Sequence, residues 1–178
     1  RVSISDINNN ISFSGVLKPH VSHLPSPGLL LNIDKAINRL SDAIINKQKI
    51  GILTDYDVDG ITSHAIIASA LKQYFKVPDA NISHYIGHRL KDGYGVSSGL
   101  VDKILLEDKD NLPDVIITAD CGSSDETNIA RLKHHGIDVI VTDHHAIPLE
   151  GVPKSAYCTV NPTQKECKYP SKVIAGCM

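Results

Sequence analysis

The stretch Lys49-Ile50-Gly51-Ile52-Leu53-Thr54-Asp55-Tyr56-Asp57-Val58-Asp59-Gly60-Ile61-Thr62-Ser63-His64 decides how the chain is read. Ile50, Ile52 and Leu53 form a short apolar run of strand type, which stops at carboxylates on alternate positions, Asp55, Asp57 and Asp59. Gly60 and a helical pattern follow. Like charges so close together repel, and the stability of a strand-to-helix turn does not ask for them. A divalent cation would remove the repulsion, and hard oxygen ligands are what Mg²⁺ or Mn²⁺ prefers. Asp is also common in turns and helix caps, so the stretch alone reads equally as an acidic turn. What stands at the other strand ends separates the two readings.

Upstream, residues 32–47 place Ile33, Ile37, Leu40 and Ile44 on one face of a helix that delivers the chain into Ile50. Residues 1–28, with Asn8-Asn9-Asn10, Pro19, Pro25 and Pro27, read as an irregular lead-in. Downstream, Ile61 to Phe75 is helical, with Ile61, Ala65, Ala68 and Leu71 available for packing, and Pro78 ends it. A strand from Asn81 to Ile86 runs into the glycine-rich loop Gly87-His88-Arg89-Leu90-Lys91-Asp92-Gly93-Tyr94-Gly95. Ser97 caps a helix through Leu106.

Val115, Ile116 and Ile117 make a third strand without polar alternation, as in a sheet buried on both faces. It ends at Ala119-Asp120-Cys121-Gly122. A helix from Asp125 to His135 leads to a fourth buried strand, Val139 to Thr142, which ends at Asp143-His144-His145. A weaker fifth strand, Tyr157 to Val160, precedes Asn161-Pro162. Strands alternating with helices predict a three-layer α/β/α fold with a mainly parallel five-stranded sheet. Ligands of such sheets lie beyond the carboxyl ends of the strands. Asp57, Asp120 and Asp143-His144-His145 all follow predicted strands, so three acid-bearing strand ends converge on one edge.

Composition narrows the partners. The 178 residues suit one domain, and a net charge of −2 supplies no global basic field for nucleic acid or membrane. Any nucleic-acid contact must be local. No apolar run approaches the ~20 residues of a membrane span, and no signal-peptide pattern opens the chain; a cytoplasmic protein is expected. Cys121, Cys158, Cys167 and Cys177 form no CxxC pair and read as reduced thiols. His134-His135 stands at a helix end, where the dipole favours His, and reads as structural. Cys121 reads as a packing residue, His84 as core or surface, and His64 as core or as a support to the acidic turn.

Asp55-Tyr56-Asp57-Val58-Asp59-Gly60, Asp120-Cys121-Gly122 and Asp143-His144-His145 resemble the first three motifs of the DHH phosphoesterase superfamily. Within it the chain is similar to the RecJ branch of 5′-to-3′ single-strand-specific DNA exonucleases. That closer likeness rests on His88-Arg89, Asp92-Gly93-Tyr94-Gly95, Asn161-Pro162, Cys167-Lys168-Tyr169-Pro170 and Ala175-Gly176. The resemblance implies two Mn²⁺ or Mg²⁺ ions. By it, Asp57 binds one metal, Asp59 the other, Asp120 bridges both and His144 ligates the second. Asp143 supports His144, while His145 contacts the scissile phosphate and serves as an acid. Arg89 is implied as a phosphate anchor, a role suited to a bidentate guanidinium.

The sequence departs from the pattern in two places. Leu53 stands where many DHH pyrophosphatases have a metal-binding His, so Asp55 is a candidate replacement ligand. The family's fourth motif and second domain are also not reached. Residues 29–178 are therefore expected to be a DHH catalytic domain cut from a longer protein, binding metal but weak or inactive alone. The implied activity is metal-dependent hydrolysis of single-stranded DNA in recombination and repair, with proteins of those processes as further partners. The rival readings are a DHH phosphoesterase on oligoribonucleotides or cyclic dinucleotides, and a non-catalytic scaffold. A scaffold would have lost metal ligands, whereas Asp57, Asp59, Asp120 and His144 are all present.

Overall fold

The apolar runs become strands because they are short, β-branched and hidden on both faces. The computed structural model describes residues 20, 22, 24–88 and 90–177. Strands β1 (Ile50–Thr54), β2 (Ile82–Ile86), β3 (Val115–Ala119), β4 (Asp138–Thr142) and β5 (Cys158–Val160) form one sheet in the order β2-β1-β3-β4-β5. Every pairing is parallel. Every residue of the central strands β1 and β3 is buried. Parallel strands need crossovers, which helices supply: α1 (Ile33–Ile45), α2 (Val58–Ser69), α3 (Ser98–Leu105) and α4 (Glu126–His134).

Two cores sandwich the sheet. Val101 and Ile104 of α3 and Ile129 and Leu132 of α4 pack with Leu53, Ile116 and Val139 on one face. Ala36 and Ala43 of α1 and Leu71 pack with Ile50, Ile52, Val115 and Ile140 on the other. Each fully buried Ile or Leu contributes about 1.5–3 kcal/mol over its exposed state.

Two helices turn inward only part of the face that the Ile and Leu spacing predicts. In α1 the buried residues are Ala36 and Ala43, with Ile33, Leu40 and Ile44 partly buried, and Ile37 is exposed. Alanines at the contact let the helix lie close to the sheet. In α2 the buried residues are Gly60, Ser63 and His64, while Ile61 and Ala65 face outward. The cause is Gly60. A Cβ there would lie 2.4 Å from the carbonyl oxygen of Asp55, so only glycine lets this turn of helix fold over the strand end. The helix continues as a π-helical turn, Ala70–Tyr74, that buries Leu71.

The amino edge of the sheet is tied by ordinary charge pairing. Arg39 Nε donates to Asp138 Oδ2 at 2.6 Å and its Nη1 to Gln48 Oε1 at 2.8 Å. The amide of Lys49 donates to Asp114 Oδ2 at 2.8 Å. His134 ends α4 and His135 caps it, as their positions in sequence indicate. All four cysteines are free, and Cys121 packs in the core. No helix among the described residues is long and apolar enough to cross a membrane.

Candidate metal centre at the carboxyl edge of the sheet

β1 and β3 are neighbours, so the residues after them leave strands only about 4.8 Å apart. Their crossovers depart in opposite directions along the sheet, which opens a crevice at this edge. Asp55, the first residue past β1, is buried, and its Oδ1 finds no hydrogen-bond partner. Burial, with the charge of Asp57, pushes its carboxyl above the ordinary value. Asp57 is exposed and caps α2, its Oδ1 accepting from the Gly60 amide at 3.0 Å. Asp59 lies in the first turn of α2 and accepts from the amides of Gly176 and Cys177 at 2.7 and 3.0 Å. Burial opposes the charge of Asp59, but these amides prevail and hold its carboxyl below the ordinary value.

At the end of β3, Asp120 takes a left-handed backbone, φ 64°, of the kind that costs an L residue about 1 kcal/mol or more. The chain turns there with the Asp120 amide donating to the carbonyl of Thr142 at 3.1 Å. The carboxylate is buried, and its Oδ1 lies 2.8 Å from His144 Nε2. Burial raises its pKa to about 6, with Asp59 and Asp57 adding repulsion against the favourable His144 contact. The segment carrying Gly176 passes so close that a Cβ there would meet Asp120 Cβ at 2.8 Å.

At the end of β4, Asp143 acts as a bracket. Its Oδ1 accepts from the amides of His144 (2.7 Å) and His145 (3.1 Å) and from His145 Nδ1 (2.7 Å). Its Oδ2 accepts from the Ser123 amide at 2.9 Å. Burial works against the charge, but the His145 and Ser123 donors hold Asp143 below the ordinary value. His145 moves up in spite of its burial because of Asp143.

The ligand atoms of Asp120, His144 and His145 lie within 4.8 Å of one another, and Asp59 Oδ2 reaches His144 Nε2 at 3.7 Å. Asp57 and Asp55 stand further out in the same field, Asp57 acting on both Asp120 and Asp55. His145 thus joins the tight cluster that sequence reading reserved for carboxylates and His144, although its Nδ1 is engaged by Asp143. Arg89 lies outside the described residues. The donor set is carboxylate oxygen and imidazole nitrogen, and the ion-pair partners of Asp59, Asp120 and Asp143 among the described residues are His144 and His145. A buried carboxylate oxygen without a partner beside mutually repelling carboxylates fits a divalent cation.

Four features escape motif reading. Tyr94 lays its hydroxyl 3.0 Å from His145 Nε2. Asn161 Nδ2 donates to Ser123 Oγ and to the carbonyl of His145, both at 2.9 Å. The Gly176 and Cys177 amides supply Asp59. His64 links Thr54 Oγ1 (3.0 Å) to His84 Nδ1 (2.8 Å) beneath the acidic turn. Tyr94, Asn161 and Gly176 stood in quoted motifs, yet their partners are distant in sequence.

Residues 49–178 match the model of the DHH family, N-terminal domain. The chain is 36% identical over 151 residues to the single-stranded-DNA-specific exonuclease RecJ of Haemophilus influenzae, 85% of this chain and 25% of that protein. It superposes on a crystal structure of exonuclease RecJ bound to manganese with TM-score 0.64 and 30% identity, covering 84% of this chain and 35% of that one. RecJ from Thermus thermophilus in complex with Mn²⁺ matches with TM-score 0.62 and 25% identity, over 90% of this chain and 20% of that one. The chain spans between about a sixth and a quarter of the length of the curated relatives it matches.

Proposed function

The chain belongs to the DHH family, and from that premise we propose that residues 29–178 form the metal-dependent catalytic unit of a 5′-to-3′ exonuclease acting on single-stranded DNA. The observation that carries the reading is the meeting of Asp59, Asp120 and His144, from three strand ends, beside the unpartnered oxygen of Asp55. The relatives named as single-stranded-DNA-specific exonucleases, and their manganese-bound structures, support the substrate and the metal. Recombination and repair are the processes in which such an activity acts.

Asp57, Asp59, Asp120 and His144, with Asp55, would hold two Mn²⁺ or Mg²⁺ ions. When bound, such a pair polarises phosphoryl oxygens and lowers the pKa of a bound water. Asp143 works without touching the reacting atoms. By accepting two amides and one imidazole N–H it fixes the turn that carries His144 and His145. Its charge favours protonated His145, suited to contact the scissile phosphate and donate a proton to the leaving oxygen. Arg89 would anchor a phosphate of the strand. A net charge of −2 offers no other broad source of phosphate affinity.

The test is nucleotide release from 5′-phosphorylated single-stranded DNA with Mn²⁺, in the full-length protein and its Asp120→Asn variant. Release from the 5′ end that disappears in the variant is expected. Hydrolysis of cyclic dinucleotides or short RNA in place of DNA would overturn the reading.

A further inference from the structure

We propose that Tyr94 is a positioning residue for His145, held in place by a loop that α3 and α4 clamp from two sides. The inference rests on the reading above that His145 serves phosphodiester hydrolysis.

His145 sits on coil after β4 with its side chain 46% exposed. Its bond to Asp143 engages one nitrogen, and a single bond leaves an exposed ring free to swing about it. The second contact comes from Tyr94, 51 residues earlier in the chain: the hydroxyl is 3.0 Å from Nε2 and 3.4 Å from Nδ1, and the rings meet edge to face, 87° apart. Facing a carboxylate, Nδ1 carries a proton, and the Tyr94 oxygen, near both nitrogens, stands over the imidazole and not along the Nε2 lone pair. The hydroxyl thus limits the swing of the ring from one side while Asp143 holds Nδ1 from another.

The loop is built to deliver that hydroxyl. Gly93 and Gly95 flank Tyr94 with φ +86° and +69°, values that favour glycine. On one side the buried carboxylate of Asp92 accepts the His88 amide at 2.9 Å and pairs with Lys103 of α3 at 2.6 Å. On the other, the Val96 amide donates to Asp125 Oδ2 at 2.9 Å and Asn128 Nδ2 of α4 donates to the Val96 carbonyl at 2.7 Å. Asp125 also closes the space over Gly95, where a Cβ would lie 2.6 Å from Oδ2. Tyr94 is half exposed, yet its hydroxyl is desolvated and feels Asp55, Asp143 and Asp120. A plain surface turn would let it point to water.

The experiment uses ¹⁵N-histidine-labelled chain and Tyr94→Phe, which keeps the ring and removes the oxygen. Long-range ¹H–¹⁵N spectra should show one fixed tautomer for His145 in the parent and an averaged, shifted ring in the variant, with His64 unchanged. In the manganese-loaded full-length protein, Tyr94→Phe should lower kcat about fivefold to tenfold, the worth of one hydrogen bond. KM and Mn²⁺ affinity should hold. Asn128→Ala, which loosens the loop without touching Tyr94, should act in the same direction and less. An unmoved His145 signal, or a rise in KM with kcat intact, overturns the proposal and makes Tyr94 a strand-contact residue. If the parent digests no single-stranded DNA while the His145 signal still responds to Tyr94→Phe, the positioning stands and the exonuclease reading falls.

Discussion

The two edges of the sheet use their charges differently. At the amino edge, Asp138 has Arg39, and Asp114 has the Lys49 amide and a carbonyl that Arg39 also reaches. At the carboxyl edge, Asp57 pushes up the pKa of Asp55 and, with Asp59, that of Asp120, which leans on His144, and one buried oxygen has no partner. The first arrangement stabilises the fold as it stands. The second is costly until a cation arrives, and a cost retained at converging strand ends marks function.

Removing a carboxylate from the acidic edge should have the largest effect. Asp120→Asn should weaken Mn²⁺ at both positions by about 100-fold or more, whereas Asp57→Asn should weaken chiefly one. Calorimetric titration checks this, and equal loss of both sites in every variant would contradict a bridging Asp120.

The same contrast should appear in melting experiments. Mn²⁺ at about 100 times its Kd should stabilise the parent by ~2.7 kcal/mol, or roughly 5–10 °C at this chain length. Arg39→Ala should keep that shift, and Asp120→Asn should lose it. If Arg39→Ala abolished the shift, the two edges would not be independent.

Without metal, Arg39→Ala should destabilise by about 2 kcal/mol, because it strips charge-assisted bonds from a guanidinium that is 11% exposed. The exposed Lys72–Asp79 pair is the control, at about 0–1 kcal/mol. Denaturant unfolding distinguishes them.

Acid should produce the smallest change. Burial, then the neighbouring His84, holds His64 below its ordinary 6.5. The unfolded chain therefore binds the proton more readily, so this stability is complete above about pH 6.5 and is lost as pH falls through the folded value. Thermal melts of parent and His64→Gln across that range should converge at low pH. Asp120 and His145, whose raised values add stability as pH falls, are common to both proteins, so a gap between parent and His64→Gln that widens on acidification would refute the assignment.

Strand positions were legible because unbroken runs such as Val115-Ile116-Ile117 can only be satisfied between two covered faces. The inward faces of α1 and α2 were legible only in part. Hydropathy ranks Ile37 and Ile61 above Ala36 and Gly60, but close approach to a sheet selects small residues. The places of Asp143 and Asp59 just past strand ends were legible. Their donors were not, since Gly176 lies 117 residues from Asp59.

By itself the sequence determined the alternation of strands and helices, and therefore that Asp55, Asp57, Asp59, Asp120 and Asp143-His144-His145 stand at strand ends of one sheet. Local periodicity and charge are enough for that, because burial of apolar runs dictates where each strand stops. Tertiary structure alone decided which group faces which: Tyr94 on His145, the Gly176 amide on Asp59, His64 between Thr54 and His84. Those contacts depend on how crossovers and loops return over the sheet edge. Hydrogen bonds reach only about 3 Å, so no periodicity along the chain encodes them.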